Sequence, residues 1–468
     1  MAQGRSVLRF LLLALLIGCV LVGVGLYVAT TQTGIKTVLG WMWDRPVDLK
    51  LVGRGPSEPL EIANLTVANR PGFGDGPFFE ADSMRLDFRP WVLVRKGFDK
   101  LELIRPRLSL VINEKGEANF GGVGGSGGWG WFFPVERIRF TEGQVRFEDR
   151  VQKKNWLAEG VGWRTTFLPA ARGVTSAGWF QIGRMDWSSE QDDARLDSLN
   201  FEYKLTVLPS SSKAFPGWLS RLRGSARYDA QSAGIYQNVW GTARFGESGI
   251  IVESFHCAVY DGYLDLHGNV DYQNDRLLVK GTAEMDGMAA DRLLTEGLKL
   301  NLPLSGLMTM TVTMTGEVDA ALKPVGETWK AQGRAQVKRG KLVNWSWLQR
   351  VAGHVKELGN LDLENVDVED LDAPFEVTHD TIVFHDLTVR VEGIDCTLAG
   401  SLGRGPAGRL DLVLDLDMPL AQLNLGGFGQ ILSAFLRGDS GRIPVRLHIR
   451  GTKKQPLVEM SMLPGVGR

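Results

Sequence analysis

Hydrophobic and polar residues alternate along most of the chain, beginning in residues 60–120. A period of two places successive side chains on opposite faces of a β-strand. Turn-forming segments, RPGFGDGP and NEKGEAN, separate the alternating runs. The pattern therefore predicts short antiparallel strands with one apolar and one polar face. The apolar positions are Met84, Leu86 and Phe88, then Leu101 and Leu103, then Leu108, Leu110 and Ile112.

Three later stretches, residues 304–315, 409–418 and 443–450, carry the same alternation. Their polar faces hold threonines in the first, mainly aspartates in the second, and arginine and histidine in the third. They predict further strands of the same two-faced kind. Their apolar members are Met308, Met310, Val312 and Met314; Leu410, Leu412, Leu414, Leu416 and Met418; and Ile443, Val445, Leu447 and Ile449.

Other segments predict the remaining elements. Short turns at Thr141-Glu142-Gly143 and at Arg339-Gly340 are each expected to close a hairpin, and Asp149 is expected to end its strand. Strands are predicted at residues 135–149, 201–208, 225–228, 259–272, 277–285, 375–377, 381–384, 387–391 and 397–402. Short helices are predicted at residues 216–222, 289–297, 345–358 and 428–436.

Residues 10–29 contain no charged side chain. At 1.5 Å per residue they are long enough to cross a hydrocarbon core about 30 Å thick. Arg5 and Arg9 precede them, which places the N-terminus in the cytoplasm and the bulk of the chain in the periplasm of a two-membrane cell. Two other interpretations stay open: a cleaved signal peptide, and a lipoprotein signal at Leu16-Ile17-Gly18-Cys19. An uncleaved anchor is favoured because the apolar run continues past Cys19 to Val28.

The composition argues against nucleic-acid binding and in favour of a β-rich fold. The formal net charge of −1 gives no basic face for nucleic acid. The 57 glycines and 14 tryptophans favour a turn-rich β architecture. Of the three cysteines, Cys257 and Cys396 lie in strand-like runs and are expected to be buried free thiols, although a disulfide between them stays open.

No pattern in the sequence predicts catalysis, a cofactor or a metal site. The six histidines have no HExxH or comparable spacing. His379 and His385 flank one predicted strand, but no third ligand accompanies them. The glycines at 403, 405 and 408 formally match GxGxxG, yet they open no helix. The glycine-rich residues 121–130 lack the lysine and helix of a phosphate-binding loop, so they predict a flexible connection.

Several short motifs, taken in order, resemble the AsmA-like family of bacterial envelope proteins. They are Asn69-Arg70-Pro71-Gly72-Phe73, Pro106, the turn Gly116-Glu117-Ala118-Asn119, and Gly451-Thr452 followed by Pro456 and a strand. Here Arg70 separates an asparagine from a proline that are usually adjacent in the family. The resemblance covers most of residues 45–460 and is weak between 160 and 240.

The resemblance implies a mainly β fold: a transmembrane helix followed by an elongated, curved antiparallel sheet, open as a groove or gutter, with a few short helices. The expected regions are residues 1–30 for the cytoplasmic tail and transmembrane helix, 31–120 for an N-terminal AsmA-like β region and 121–134 for a glycine-rich loop. Residues 135–330 are expected to form a central β region and 331–468 a C-terminal AsmA-like β region.

The expected function is non-enzymatic: a protein anchored in the inner membrane whose apolar groove holds or conducts phospholipid, supporting outer-membrane biogenesis. Other envelope proteins are possible partners, and an assembly factor acting on outer-membrane proteins is the alternative. A closed core would produce the same apolar rows. The groove candidates are Met84, Leu86, Phe88, Leu108, Leu110, Ile112, Met308, Met310, Val312, Met314, Leu412, Leu414, Leu416, Val445 and Leu447.

Overall fold

The protein is mainly β, as the alternation predicts, in a computed structural model. The chain divides into two compact units, with the division inside one strand, β10. The structure describes residues 31–53, 58–74, 76–87, 98–120, 135–170, 173–188, 193–208, 222–233, 235–273, 276–297, 304–319, 323–343, 365–391, 394–404, 408–419 and 442–462.

Unit 1 begins with a helix and continues as strands. Helix α1 is capped at its start by the Thr31 hydroxyl, which accepts the Gly34 N–H at 3.1 Å, and it ends at Asp44 in the left-handed conformation. The elements are α1 (Gln32–Trp43), β1 (Val47–Gly53), β2 (Leu60–Val67), β3 (Phe79–Asp87), β4 (Phe98–Ile104), β5 (Arg107–Ile112), β6 (Val135–Asp149), β7 (Lys154–Ala170), β8 (Gly173–Ser188), β9 (Asp193–Val207) and most of β10 (Leu222–Ala233).

Pairing in unit 1 is mixed, so the expectation of a wholly antiparallel sheet was wrong. Strands β4 and β5 follow each other along one line and both pair antiparallel with β3. The long strand β6 then runs parallel to both of them. A parallel neighbour requires a crossover connection, which the chain between β5 and β6 is long enough to supply.

Left-handed residues in unit 1 fall along one line across the sheet, with members on β2, between β4 and β5, and on β6, β7 and β9. Positive φ angles occur at Asn64, Arg105, Glu142, Gly160 and Ser198. Each such residue interrupts the alternation, so apolar residues three apart share a face, as Ile62 and Leu65 do in one buried cluster. We call these five residues the bulge line.

The bulge line corrects the predicted turn at Thr141-Glu142-Gly143. Strand β6 runs unbroken from Val135 to Asp149, and Glu142 is a bulge within it, with φ 54°. The prediction that Asp149 ends the strand is confirmed. Its carboxylate accepts the N–H groups of Val151 and Gln152 at 3.0 and 2.9 Å.

Unit 2 is an antiparallel meander in which each strand from β11 to β22 pairs with the next. Its strands are β11 (Tyr236–Phe245), β12 (Gly249–Val259), β13 (Gly262–Tyr272), β14 (Leu277–Ala289), β15 (Leu304–Val318), β16 (Pro324–Val343), β17 (Asn365–Val377), β18 (Thr381–Val391), β19 (Ile394–Gly403), β20 (Arg409–Pro419), β21 (Arg442–Thr452) and β22 (Pro456–Met462).

Left-handed residues also correct two predictions in unit 2. The predicted turn at Arg339-Gly340 is a bulge, with φ 51° at Arg339, inside the single strand β16. The strands predicted at 381–384 and 387–391 are one strand, β18, interrupted by Asp386 at φ 51°. A bulge inserts an extra residue without reversing the chain, so its local sequence resembles that of a turn.

The predicted helix at 289–297 is confirmed as a short α2 (Ala290–Arg292) and a π-helical turn (Leu293–Gly297). The predicted helices at 345–358 and 428–436 lie outside the described residues, as does most of the one at 216–222, whose last residue, Leu222, begins β10. The predicted anchor at 10–29 also lies outside them. In the part of the chain that the structure describes, no helix is both long and apolar enough to span a membrane.

Candidate functional site

The candidate site is the apolar face that each unit presents on one side of its strands. Within each unit, the extensive strand contacts among described residues join hydrogen-bonded neighbours, and the buried apolar clusters are built from side chains of those same neighbouring strands, with α1 added in unit 1. The described elements outside the strands are α1 in unit 1 and the helical turn 290–297 in unit 2. A sheet with one apolar face normally covers that face with another layer.

Helix α1 covers the beginning of the apolar face in unit 1. Its Ile35 packs in one buried cluster with Leu49, Ile62 and Leu65. The Trp43 ring meets the Phe79 ring edge to face, with centroids 5.7 Å apart. This end is therefore a closed core, and Met84 packs against it.

Beyond β4 the apolar face of unit 1 becomes aromatic. The register aligns Phe140, Trp163, Phe180 and Phe201 across β6 to β9, and all four side chains are half-buried. We call these four residues the aromatic row. Its first two rings meet edge to face, with centroids 5.2 Å apart. Phe140 packs against the buried cluster that contains Ile35 of α1, whereas Phe180 packs against a cluster of strand residues, Ala158, Val161 and Ile182.

Sequence reasoning missed the aromatic row. Gly160, in the left-handed conformation, shifts the alternation of β7 by one residue, and Ser198 does the same in β9. Apolar positions on the two sides of each shift then fall out of a common period of two, so β7 and β8 were not predicted, although Phe140 and Phe201 lie in predicted strands. The usable signal was the density of aromatic residues between 156 and 203.

Hydroxyl groups adjoin the aromatic row. The Trp163 indole N–H donates to the Tyr203 hydroxyl at 2.8 Å. Thr165 and Ser176 share a hydrogen bond of 2.8 Å, and the Ser176 hydroxyl donates to Tyr203 at 3.5 Å. The buried Thr165 hydroxyl is therefore satisfied on an otherwise apolar surface.

In unit 2 the register aligns apolar residues into a row that crosses β12 to β22. We call it the long row. The Phe375 ring lies across Gly333, where an added Cβ would meet its edge at 3.0 Å. The members are Phe255, Leu266, Ala283, Val312, Gly333, Phe375, Phe384, Gly400, Leu412, Ile449 and Val458.

A second row in unit 2 lies beside the long row on the same face. It joins Met288 and Met308 on β14 and β15 to Leu416 and Val445 on β20 and β21 through Val337, Leu371, Val389 and Cys396. The helical turn contacts β15, whose Met308 is buried, and itself buries Ala290 and Leu293. Elsewhere on the two rows, half-buried residues such as Phe384 and Leu416 alternate with buried ones such as Leu412.

The structure places the described groove candidates on these two faces. Phe88 lies outside the described residues. Half-buried candidates are Met84, Leu86, Leu108, Leu110 and Ile112 in unit 1, and Met314, Leu414 and Leu416 in unit 2. Buried candidates, all in unit 2, are Met308, Met310, Val312, Leu412, Val445 and Leu447.

The opposite face of unit 2 is ionic. Arg446 forms a bidentate pair with Asp415 at 2.6 and 2.7 Å, and Arg334 pairs with Asp372 in the same way. Hydrogen bonds from these guanidinium groups lower the pKa of both carboxyl groups. Charge is thus segregated from the apolar rows.

The two described cysteines are free, as predicted. Cys257 is buried, and desolvation raises its pKa to about 11. Cys396 is half-buried, and desolvation raises its pKa to about 12. Both are therefore thiols near neutral pH. Within the described ranges, no three His, Cys, Asp or Glu side chains come together as a metal site.

No protein-family model and no curated protein matches the chain. The function is therefore inferred from the sequence and geometry of the chain itself.

Proposed function

We propose that the chain is an AsmA-like protein, anchored in the inner membrane, whose apolar β faces form an open groove that holds or conducts phospholipid in the periplasm. It supports outer-membrane biogenesis by sheltering acyl chains from water. The observation that carries this proposal is the long row of unit 2. Its apolar side chains continue across neighbouring strands. They are buried at Ala283, Val312, Leu412 and Ile449, and half-buried at Phe255, Leu266, Phe375, Phe384 and Val458.

The size of the unit 2 face suits an acyl chain. Neighbouring strands lie about 4.8 Å apart, so the step from β12 to β22 corresponds to about 50 Å along the sheet. Two acyl chains carry about 30 methylenes, and exposing them to water costs on the order of 20 kcal/mol. A surface that recovers even part of this free energy keeps a lipid bound during transfer.

The side chains of the unit 2 face also suit a mobile ligand. Among the methionines that β14 and β15 place on this face, Met285 and Met314 are half-buried, whereas Met288, Met308 and Met310 are buried. Methionine is unbranched and polarizable, so a methionine surface adapts to chains of different shape. The ion pairs Arg334–Asp372 and Arg446–Asp415 lie on the other face of the sheet. These charges therefore need not be desolvated when an acyl chain binds.

Photo-crosslinking in cells tests the proposal with matched positions. A photoreactive amino acid is placed at Met314 or Leu414, both half-buried on the apolar face, in the full chain. Controls carry it at the adjacent Thr313 or Val413, which point to the opposite face. We expect phospholipid adducts, identified by mass spectrometry, at the two face positions only. Equal labelling at all four positions, or none, contradicts lipid binding on this face.

The same experiment separates the alternative function. An assembly factor that pairs strand edges with outer-membrane proteins would give protein adducts at edge positions and no face-specific lipid. Two charged variants test whether the apolar face is needed in cells: Met314→Glu on that face, and Thr313→Glu on the opposite face as its control. We expect only the face variant to weaken the outer-membrane barrier, measured as increased detergent sensitivity at equal protein level.

A further inference from the structure

A second feature of unit 1 is a buried arginine with unused hydrogen-bond donors. Arg45 follows α1 and has 5% of its surface exposed. Its Nη2 group donates to the backbone oxygen of Asn119. Its guanidinium carbon lies 3.8 Å from the centre of the Phe78 ring. The Nε and Nη1 groups are buried and have no hydrogen-bond partner among the described residues.

The residues around Arg45 belong to the motifs that resemble the AsmA-like family. The Asn119 side chain donates to Asn69 at 3.1 Å and to the Ser109 carbonyl at 2.8 Å, and it accepts the Val111 N–H at 2.8 Å. Asn119 is therefore saturated and fully buried, so its amide holds the 69–74 loop against β5. Arg45 is held in place by its bond to the backbone oxygen of Asn119, and its Nε and Nη1 groups stay unpaired among the described residues.

The charges near Arg45 do not neutralise it. Desolvation and the positive charge of Arg70 lower the pKa of Arg45 to about 10, while Asp44 acts in the opposite direction. Arg45 stays protonated at neutral pH, and the charged groups that act on it electrostatically are one arginine, Arg70, and one carboxylate, Asp44, which together with Arg45 leave one positive charge in excess. A buried cation without a paired anion destabilises the fold by several kcal/mol in general.

We propose that Arg45 and Arg70 form a binding site for a phosphate oxyanion. Guanidinium groups bind phosphate through several N–H donors, and a tetrahedral anion has enough oxygens to engage both arginines. One excess positive charge matches a monoanion such as a phosphodiester. Because Nε and Nη1 are shielded from solvent, binding of the anion requires the neighbouring loop, in which Pro71 and Gly72 are exposed, to move outward.

This site is separate from the apolar face. Phe78 and Val111 alternate with Phe79, Leu110 and Ile112, so they lie on the other side of the sheet from the candidate groove. A failure of the lipid proposal therefore leaves the oxyanion site intact, and the reverse also holds. The ligand has two possible sources: free phosphate, or the phosphate of a lipid headgroup.

Thermal unfolding of the full chain, followed by tryptophan fluorescence, tests the site. Inorganic phosphate is compared with chloride and acetate at equal ionic strength. We expect phosphate to raise the Tm in a saturable manner beyond both other anions, because binding to the folded state stabilises it. Equal effects of the three anions overturn the proposal.

Substitutions of the arginines test whether the rise in Tm with phosphate depends on this site. Arg45→Met keeps the length of the side chain and removes its charge, and we expect it to weaken the apparent phosphate affinity at least tenfold. Arg70→Met, which is half-exposed, serves the same purpose if the first variant does not fold. Arg85→Met, an exposed arginine on β3, is the control and is expected to retain the full response. A response that survives in both Arg45→Met and Arg70→Met refutes the assignment.

Dimethyl phosphate distinguishes the two sources. It is a monoanionic diester without acyl chains, so it does not occupy the apolar face. A shift in Tm with dimethyl phosphate that depends on Arg45 identifies a lipid-type phosphodiester. A shift with inorganic phosphate alone identifies free phosphate. If neither compound raises the Tm of the wild-type chain, the site is refuted.

Discussion

Replacing Asn119 with alanine is expected to cause one of the largest single losses of stability in unit 1. The side chain is fully buried and makes three hydrogen bonds, of 2.8, 2.8 and 3.1 Å. Alanine at this position leaves the Val111 N–H, the Ser109 carbonyl and the Asn69 amide without these partners. The backbone bond between Asn119 and Val111, 2.8 Å long, is unaffected.

The magnitude follows from those three groups. A buried polar group that loses its partner costs about 1–3 kcal/mol. Val111 is itself buried, whereas Asn69 is half-buried and is reached more easily by water. We therefore expect a total of about 3–5 kcal/mol, which is a large share of the 5–15 kcal/mol that typically separates folded from unfolded protein.

Hydrogen–deuterium exchange of the full chain is the appropriate assay, because a chain with two units need not unfold in one step. Each 1.4 kcal/mol is a factor of ten in an equilibrium constant, so a loss of 3 kcal/mol accelerates exchange of the β5 amides by about 10²-fold. Amides of unit 2 serve as an internal reference.

Asn200→Ala is the matched control for the Asn119 variant. Asn200 also lies in unit 1 and donates one bond, to Asp229 at 3.0 Å, but it is exposed. We expect a change within about 0.5 kcal/mol there. If Asn119→Ala accelerates exchange less than about fivefold, the amide network does not hold the loop and the reasoning is refuted.

Two further predictions concern the bulge line and the ionic face. Gly160→Ala is expected to lower the free energy of unfolding by about 1–2 kcal/mol, because φ is +64° there and the new Cβ would lie 3.2 Å from the Gly183 Cα. Gly53→Ala, whose Cβ would have its nearest neighbour at 3.7 Å, should be nearly neutral by denaturant titration. The Arg446 hydrogen bond lowers the pKa of Asp415 below its usual 3.8. That contribution to stability is therefore present above about pH 4 and is lost as the pH falls through the lowered pKa. Asp415→Asn should remove this acid-dependent part, so an unchanged slope of Tm against pH below 4 would contradict it.

Much of the strand content was predictable because alternation is local. The rows Met308–Val312 and Leu410–Leu416 share a face in the structure as they do in the sequence, since a period of two needs no knowledge of neighbours. The helical turn near residue 290 and the end of β6 at Asp149 were likewise encoded locally.

The failures also have a local cause. Non-glycine residues such as Glu142, Arg339 and Asp386 adopt positive φ within continuous strands. Isolated sequence signals assign such residues to turns, because only hydrogen bonding to both neighbouring strands keeps the chain extended through them. The aromatic row was not predicted for the same reason, because Gly160, at positive φ, shifts the alternation of apolar residues in β7 by one position.

By itself the sequence determined which side chains share a face: Met310 with Val312, Leu412 with Leu414, and their polar neighbours opposite. Only the tertiary structure decided which strands are neighbours and what covers the face. It set β6 parallel to β5, packed α1 over Ile62, and left Phe180 half-buried beside the other rings of the aromatic row. Coverage depends on segments distant in sequence, so similar apolar rows are closed over by α1 at one place in unit 1 and are half-buried at the aromatic row.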